Sequence, residues 1–231
     1  MPSVKQNTID FATVLGASVH DMKNSLFLLL QSIEQVAAQI EAPEPKAKLA
    51  DIHYETQRLN TSLIQLLTLF RQEQRNLPVN REEYFLDELA DDLIANNQFY
   101  ADHHNTALET EIAEEKSWFF DHQLVLVLLN DVLINAMRYA HERVKLVADI
   151  DEISHELIIE VHDDGPGYPA EMLDNYSAGP QATELGAGRT GLGLYFSRLI
   201  AEAHQDKGRV GSIVLSNDSV FGGSRFTLRL P

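Results

Sequence analysis

The sequence predicts an α+β protein: an N-terminal antiparallel helical hairpin, followed by an α/β sandwich in which helices cover one face of a sheet. Three observations predict this. Apolar residues follow heptad spacing up to residue 78, whereas the rest of the chain alternates short β-type segments with helical ones. Proline-containing segments at 42–45 and 76–78 interrupt the helical pattern. We therefore expect two units, residues 1–78 and residues 79–231.

The amino-acid composition and net charge exclude some classes of binding partner and some kinds of site. The 231 residues carry a net charge of −17, which disfavours nucleic acid or an anionic membrane surface, since binding phosphate requires a basic surface. The chain contains no cysteine, so disulfides, thiolate metal sites and cysteine nucleophiles are excluded. No apolar run approaches the roughly 18 residues of a membrane span. We expect a cytoplasmic protein that neither inserts into a membrane nor binds nucleic acid.

The first two helices are predicted by apolar seams with alternating steps of three and four residues, the spacing of a coiled-coil core. The segment 42–45 should end the first helix, because proline lacks an N–H group and restricts the residue before it. The segment 76–78 should end the second. The first seam comprises Leu15, Val19, Met22, Leu26, Leu29, Ile33, Val36 and Ile40. The second comprises Leu49, Ile52, Thr56, Leu59, Leu63, Leu66 and Phe70.

Two such helices with a short connection predict an antiparallel hairpin. Further apolar residues widen both faces beyond what one hairpin covers, namely Phe27, Leu28, Leu30, Ile64, Leu67 and Leu69. Two copies in a dimeric four-helix bundle would cover them, so we expect a homodimer. The alternative is a hairpin that packs on the C-terminal unit of its own chain.

After Pro78 the pattern changes to mixed elements. Helices are predicted at residues 86–102, 121–140 and 192–204, the second with Asp121 as its N-cap. The segment from Pro166 to Arg189 is rich in Gly, Pro, Ala and polar residues and predicts a mobile loop. Strands are predicted at residues 106–113, 117–120, 144–150, 156–162, 210–216 and 224–230.

The first motif with chemical potential lies on the first helix. His20 follows the seam residue Val19, which turns it away from the core, and Asn24 shares its face at i+4. Asp21 can hold the imidazole tautomer or take its proton, and a neutral imidazole is a competent nucleophile toward phosphorus. By itself, an exposed histidine on a helix more often has no such role.

The second motif lies on the predicted helix 121–140. Asp131 and Asn135 share a face at i,i+4, and Arg138 and Tyr139 follow. Two oxygen ligands and a cation suit a site for Mg²⁺ and phosphate. Read in isolation, the alternative is a plain polar helix face.

Two glycine-rich segments complete the set. Asp163-Asp164-Gly165-Pro166-Gly167 follows an apolar strand, where a carboxylate can accept a hydrogen bond from an exocyclic amine and glycines allow a tight turn. Gly188-Arg189-Thr190-Gly191-Leu192-Gly193-Leu194 opens a helix, whose N–H groups and positive dipole end favour phosphates. Each segment alone is weak evidence for a ligand site.

In this order and spacing, the four motifs resemble those of the transmitter core of bacterial two-component sensor histidine kinases. That core consists of a dimerisation and phosphoacceptor hairpin and a Bergerat-type ATP-binding domain of the histidine kinase and Hsp90-like type. The resemblance extends from about residue 10 to residue 230. It implies that His20 is phosphorylated, that Asp21 is its acid/base partner, and that Asn24 orients water for dephosphorylation of a partner.

The resemblance also implies ATP and Mg²⁺ as cofactors. Asn135 would bind Mg²⁺ with Asp131, Arg138 would reach the phosphates, and Tyr139 would lie against the nucleotide. Asp163 would recognise the adenine amino group. The pocket and phosphate segments would contribute Gly165, Gly167, Arg189, Thr190, Gly191, Gly193 and Leu194.

Two positions depart from the family pattern. Asp131 stands where these kinases usually have Asn, and we hypothesise that its carboxylate alters metal dependence or supports some ATP hydrolysis. Arg189 stands where glycine is usual, which adds a donor near the phosphates but reduces the flexibility of the loop.

The implied partner is the receiver domain of a response regulator, whose aspartate would take the phosphoryl group from His20. Since 19 residues precede His20 in the given sequence, we expect no sensor domain and a separate sensor or input protein. Two rival functions stay open. One is a histidine phosphotransferase that does not use ATP, and the other is a pseudo-kinase that controls a regulator by contact or through Asn24.

Overall fold

A computed structural model describes residues 11–40, 42–73, 79–113, 115–175 and 192–231. The helices in these ranges are α1 (Phe11–Ala38), α2 (Pro43–Glu73), α3 (Leu86–His104), α4 (His122–Tyr139), α5 (Ala170–Asn175) and α6 (Leu192–Ala203). The strands are β1 (Glu82–Phe85), β2 (Ala107–Ile112), β3 (Ser117–Phe120), β4 (Arg143–Asp151), β5 (Glu156–Asp163), β6 (Gln205–Asp206), β7 (Arg209–Val210), β8 (Ser212–Ser216) and β9 (Arg225–Leu230).

Helices α1 and α2 form the predicted antiparallel hairpin, but the prolines occupy a different place from the one expected. The first helix ends at Ala38, and Pro43 and Pro45 lie in the first turn of α2 rather than in the connection. N–H groups in the first turn of a helix have no intrahelical partner, so proline there removes no hydrogen bond. The prolines therefore begin the second helix instead of ending the first.

The apolar seam of α1 divides into a covered row and an uncovered row. Val19 and Ile33 are buried against α2, whereas Met22, Leu29 and Val36 are 45%, 47% and 48% exposed. On α2 the corresponding exposed apolar positions are Ile52 and Leu59. Among the seam residues whose side chains the structure describes, one hairpin thus leaves five exposed.

A different face of α2 packs against the C-terminal unit. Tyr54 stacks on Tyr100 of α3, with ring centroids 4.7 Å apart. The Gln57 amide donates to the backbone oxygen of Asn96 at 2.6 Å. The hairpin therefore packs on the C-terminal unit of its own chain through this face, which is the alternative arrangement named from the sequence. The exposed row of Met22, Leu29 and Val36 is not covered by this contact.

The main sheet has the strand order β2-β4-β5-β9-β8, antiparallel except for the β2–β4 pair. Helices α3, α4 and α6 pack on one face, as predicted. Alternate residues such as Leu146, Ile159 and Leu228 point into that core and are 1% exposed or less. The opposite face carries charged side chains, among them Glu160 and Arg225, which form an ion pair at 3.5 Å.

Some short elements were not predicted. Strand β1 pairs with β3, β6 pairs with β7, and α5 lies inside the segment predicted to be a loop. Strands of two to four residues carry too few alternations to register as a period. Residues 176–189 of the predicted loop and the expected domain boundary at 78 lie outside the described residues.

The start of the C-terminal unit is fastened to its core by polar contacts. The Asn80 N–H donates to Asp121 Oδ2 at 2.9 Å, and the Arg81 guanidinium donates to the backbone oxygens of Phe119, Gln205 and Pro231. Residues 80 and 81 are therefore anchored in the C-terminal unit. Within the described ranges, every helix is too short or too polar to cross a membrane.

Candidate functional site

Helix α4 carries the second sequence motif on its polar side. Asp121 caps the helix, as predicted, by accepting the Leu124 N–H at 3.1 Å. The Asn135 side-chain amide donates to the backbone oxygen of Asp131 at 2.9 Å. This bond turns the Asn135 side-chain oxygen away from the helix backbone, so a hard oxygen ligand is presented at an exposed position.

Asp163, the last residue of β5, is the most thoroughly held carboxylate of the site. It is only 4% exposed. Its Oδ1 accepts the N–H groups of Gly165 and Ser224, at 2.8 Å and 3.0 Å, and its Oδ2 accepts the Ser224 hydroxyl. The Ser219 hydroxyl donates to the Asp163 backbone oxygen at 2.6 Å. The orientation of this carboxylate is fixed from two separate loops.

Glycine is required where these loops approach other groups. A Cβ on Gly165 would collide with the backbone oxygen of Tyr139, and one on Gly223 would collide with Asp163 Oδ1. Gly167 has φ +81°, a conformation that side chains rarely adopt. The close approach of Gly165 to Tyr139 places the end of α4 against the Asp163 segment.

Asp164, the neighbour of Asp163, has a structural role. It accepts the N–H groups of His141 and Glu142 in the turn between α4 and β4, at 2.8 Å and 3.0 Å. Desolvation raises the pKa of Asp164, but hydrogen bonds from the backbone of Arg143, Glu142 and His141 outweigh it and lower the pKa. The charged carboxylate therefore holds the end of α4 beside the site.

The N-terminus of α6 supplies the third part of the site. Gly193 lies in the first turn, and its backbone oxygen accepts the Ser197 hydroxyl at 3.0 Å. Leu194 is half-buried against the core. Helix α6 packs beside α4, and its first N–H groups have no intrahelical partner and are available to an anion. Arg189, Thr190 and Gly191 lie outside the described residues.

Arg138 lies at the border between the two units. Its guanidinium is 5.6 Å from the ring centroid of Tyr139. It also lies close to the hydroxyl of Tyr54 on α2: burial raises the pKa of Tyr54, and Arg138 acts to lower it. Desolvation, with Tyr54 beside it, raises the pKa of Tyr100 to about 12. The side chains of Tyr54 and Tyr100 are therefore uncharged neighbours of Arg138.

The hairpin motif is not brought to Asp163. His20, Asp21 and Asn24 lie on α1, where Asp21 and Asn24 are exposed, and the His20 side chain lies outside the described residues. The bond between His53 Nε2 and Glu34 Oε1, at 3.0 Å, sets a helix register in which His20 lies opposite residue 67. That level is about 20 Å along the hairpin from Tyr54, at 1.5 Å per helical residue.

Sequence reasoning missed Ser219, Gly223 and Ser224, which surround Asp163. Ser224 begins the predicted strand 224–230, and Ser219 and Gly223 lie between it and the predicted strand 210–216. The signal available was the Gly222-Gly223-Ser224 run directly before β9, because consecutive glycines allow the backbone to approach another group closely.

The site offers a cation few protein ligands. Among the described residues, no group of three or more His, Cys, Asp or Glu side chains could hold a metal ion. Asn135 and Asp131 offer oxygen ligands on one helix face, which fits an ion such as Mg²⁺ that takes one or two protein ligands and completes its shell from phosphate and water.

Comparison with known proteins agrees with this geometry. Residues 121–231 match the family model described as histidine kinase-, DNA gyrase B-, and HSP90-like ATPase. The sensor protein SrrB of Staphylococcus aureus is 27% identical over 218 residues, covering 92% of this chain. The match spans 36% of the relative, so the chain corresponds to about a third of the length of that protein.

Solved structures show the same fold. The histidine kinase AdeS of Acinetobacter baumannii aligns with a TM-score of 0.60 and 21% identity, over 90% of this chain and 95% of that one. The catalytic domain of histidine kinase ThkA aligns with a TM-score of 0.54 and 22% identity, over 65% of this chain and 95% of that one. The resemblance to a histidine kinase transmitter core and the predicted α+β fold class are confirmed.

Proposed function

We propose that this chain, whose residues 121–231 form a domain of the histidine kinase-, DNA gyrase B-, and HSP90-like ATPase family, is a protein-histidine kinase. It would bind Mg-ATP between α4, the end of β5 and α6, phosphorylate His20, and pass the phosphoryl group to an aspartate of a response regulator. The observation that carries the proposal is Asp163, a buried carboxylate held in one orientation beside the α4 motif.

Asp163 has the chemistry to recognise adenine. Three donors occupy part of its acceptor capacity, from Gly165 and Ser224, and about four lone-pair positions are available on a carboxylate. The remaining capacity on Oδ2 suits the exocyclic amine of adenine. A base that presents an oxygen there would instead face the carboxylate and be disfavoured.

The phosphates would lie toward the N-terminus of α6. Backbone N–H groups near Gly193 and the positive end of the helix dipole favour anions there, and Arg138 adds a cation. Asn135 and Asp131 would hold Mg²⁺, which when bound neutralises phosphate charge. If the Asp131 carboxylate alters metal dependence, Asp131→Asn should change the Mg²⁺ concentration that half-saturates activity, and an unchanged value would remove that hypothesis.

Phosphoryl transfer requires a nucleophile in line with the bond that breaks. A neutral ring nitrogen of His20 would form the N–P bond as the bond between the γ-phosphorus and the ADP oxygen breaks, and Asp21 would take the ring proton. The ATP-binding unit lies at the level of Tyr54 of its own chain, so transfer to His20 of the same chain requires the two units to move relative to each other. Asn24, one turn along α1, would orient water for dephosphorylation of the regulator.

We also propose that the chain forms a homodimer in the cytoplasm. The uncovered row of Met22, Leu29 and Val36 supports the dimer, because a second hairpin would bury it in a four-helix bundle. Sedimentation at micromolar concentration tests this. A single species of 26.0 kDa would contradict it.

Incubation with γ-labelled ATP and Mg²⁺ tests the kinase. We expect acid-labile label on the wild type and none on His20→Ala, which should still bind ADP because α1 is separate from the Asp163 site. Label that persists on His20→Ala would place the phosphoacceptor elsewhere. Absence of label, together with acceptance of phosphate from a phosphorylated regulator, would support a phosphotransferase. Absence of both would support a pseudo-kinase.

A further inference from the structure

The turn between β8 and β9 contains a side chain that holds the backbone of the glycine segment. Asn217 Oδ1 accepts the Tyr168 N–H at 2.7 Å, and Asn217 Nδ2 donates to the Tyr168 backbone oxygen at 2.9 Å. The side-chain amide of Asn217 thus pairs through its oxygen and its nitrogen with the backbone N–H and oxygen of Tyr168. Asn217 is exposed and 49 positions away in sequence, so neither local structure nor burial explains this pair.

The Asn217 amide, which pairs with Tyr168, also packs against Gly167. A Cβ on Gly167 would lie 2.8 Å from Asn217 Cγ, closer than Cβ atoms approach other groups. Gly167 therefore leaves room for the Asn217 amide as well as adopting φ +81°. The contact fixes the far end of the segment that begins at Gly165.

The near end of the same segment orients Asp163. The Gly165 N–H donates to Asp163 Oδ1, and the Tyr168 ring packs against the core close to Ser224 and Asp163. Burial raises the pKa of Tyr168 above its ordinary value, so its hydroxyl stays protonated beside this carboxylate. The segment from Gly165 to Tyr168 is thus held by Asp163 at one end and by Asn217 at the other.

We propose that Asn217 is a positioning residue for recognition of the nucleotide base. It would keep the Gly165 N–H on Asp163 Oδ1, which leaves Oδ2 directed at the exocyclic amine of adenine. Without Asn217 the segment can shift, and Asp163 loses one of the donors that fix its orientation. A carboxylate that rotates distinguishes less well between a base that donates at this position and one that accepts.

The inference rests on the proposed ATP site, so the experiment measures base selectivity as well as affinity. Calorimetric titration of the full chain with ADP and with inosine diphosphate, which has an oxygen in place of the amine, gives the ratio of the two affinities. For Asn217→Ala we expect ADP affinity to fall about 3- to 10-fold, the range for loss of one or two modest hydrogen bonds. Inosine diphosphate affinity should change less than twofold, so the ratio falls.

Asp218→Asn is the matched control. Asp218 lies in the same turn and pairs with Arg225 at 2.7 Å, but it does not contact Tyr168. It should leave the ratio unchanged. If Asn217→Ala does not fold, Asn217→Ser provides the same comparison with a residue that is common in turns and too short to reach Tyr168.

The outcomes separate the two proposals. An unchanged ratio in Asn217→Ala, or an equal loss for both nucleotides, would overturn the positioning role while leaving the ATP site intact. Failure of the wild-type chain to bind ADP would overturn the proposed function, and the positioning role with it. A reduced ratio in the Asp218→Asn control would also overturn the role, since it would assign the effect to the turn as a whole.

Discussion

The nucleotide pocket and the helical hairpin differ in how far a single chain completes them. Around Asp163, groups from two loops occupy most of the carboxylate's hydrogen-bonding capacity. Along the hairpin, several described seam residues, including Leu29, are left exposed. The pocket is built within one chain, whereas the proposed dimer would cover the exposed row of the hairpin. Changes in the pocket should therefore act on ligand binding, and changes on the exposed row should act on assembly.

The largest effect is expected from Asp163→Asn. The substitution replaces an acceptor with an amide NH₂ group that faces the donors of Gly165 and Ser224, and it removes a charge-assisted bond to the ligand. We expect ADP affinity to fall about 100-fold, equivalent to roughly 3 kcal/mol. Calorimetric titration measures it. Asp149→Asn, on the exposed end of β4, is the control and should bind as the wild type does.

The second prediction concerns the exposed row of the hairpin. Leu29→Glu places a charge on a position that is 47% exposed in one chain and would be buried in a four-helix bundle. We expect the dimer dissociation constant to rise at least about tenfold, equivalent to roughly 1.4 kcal/mol, with ADP affinity unchanged. Sedimentation equilibrium checks this, with Val214→Glu on the exposed sheet surface as control. Loss of nucleotide binding in Leu29→Glu would contradict the separation of the two regions.

The third prediction concerns the contact between the hairpin and the C-terminal unit, which a substitution of Tyr54 should weaken. Tyr54→Ala removes the stack on Tyr100 and leaves Arg138 without its hairpin neighbour. Stacked aromatic pairs contribute about 0.5–1.5 kcal/mol beyond burial, so release of the ATP-binding unit should become several-fold more favourable. Because His20 lies far from the docked position, we expect faster phosphorylation of His20. A slower rate in a folded variant would show that the contact aids transfer.

The last prediction concerns the dependence of stability on pH, through a buried histidine. His204 Nδ1 donates to the Ile200 oxygen at 2.7 Å, and Nε2 accepts the Asp121 N–H at 3.0 Å, so the neutral ring is saturated. Desolvation lowers the pKa of His204 below its ordinary value, opposed by the hydrogen bond to the Ile200 oxygen and by Asp121, and assisted by Arg81. The folded state therefore binds fewer protons than the unfolded state below about pH 6.5, and its stability falls as the pH decreases.

Urea unfolding between pH 7.5 and pH 5.5 measures this effect. The free energy of unfolding should decline by at most about 1.4 kcal/mol per pH unit for one histidine. His204→Asn should flatten the slope and His141→Gln, on the exposed surface, should not. Part of the slope should remain, because burial also lowers the pKa of His53 in the hairpin, despite Glu34 beside it. A slope unaffected by His204→Asn would exclude this origin.

Much of the site was accessible from the sequence because its parts are local. Asp121 as a cap, the shared face of Asp131 and Asn135, and Asp163 at the end of a strand each follow from spacing within a few residues. The prediction that the prolines at 43 and 45 end the first helix was wrong for a local reason too, because proline is common both after the end of a helix and in its first turn. Ser224 was missed because its relation to Asp163 spans 61 positions and has no period.

The sequence by itself determined the elements, their order and the four motifs, because hydrophobic periodicity and capping depend on neighbouring residues. The tertiary structure decided which loops meet around Asp163, that Asn217 holds Tyr168, and that one face of α2 packs on α3 while another stays exposed. Those outcomes depend on packing between distant segments, where close approach at Gly165 and Gly223 and the pairing of buried polar groups select one arrangement.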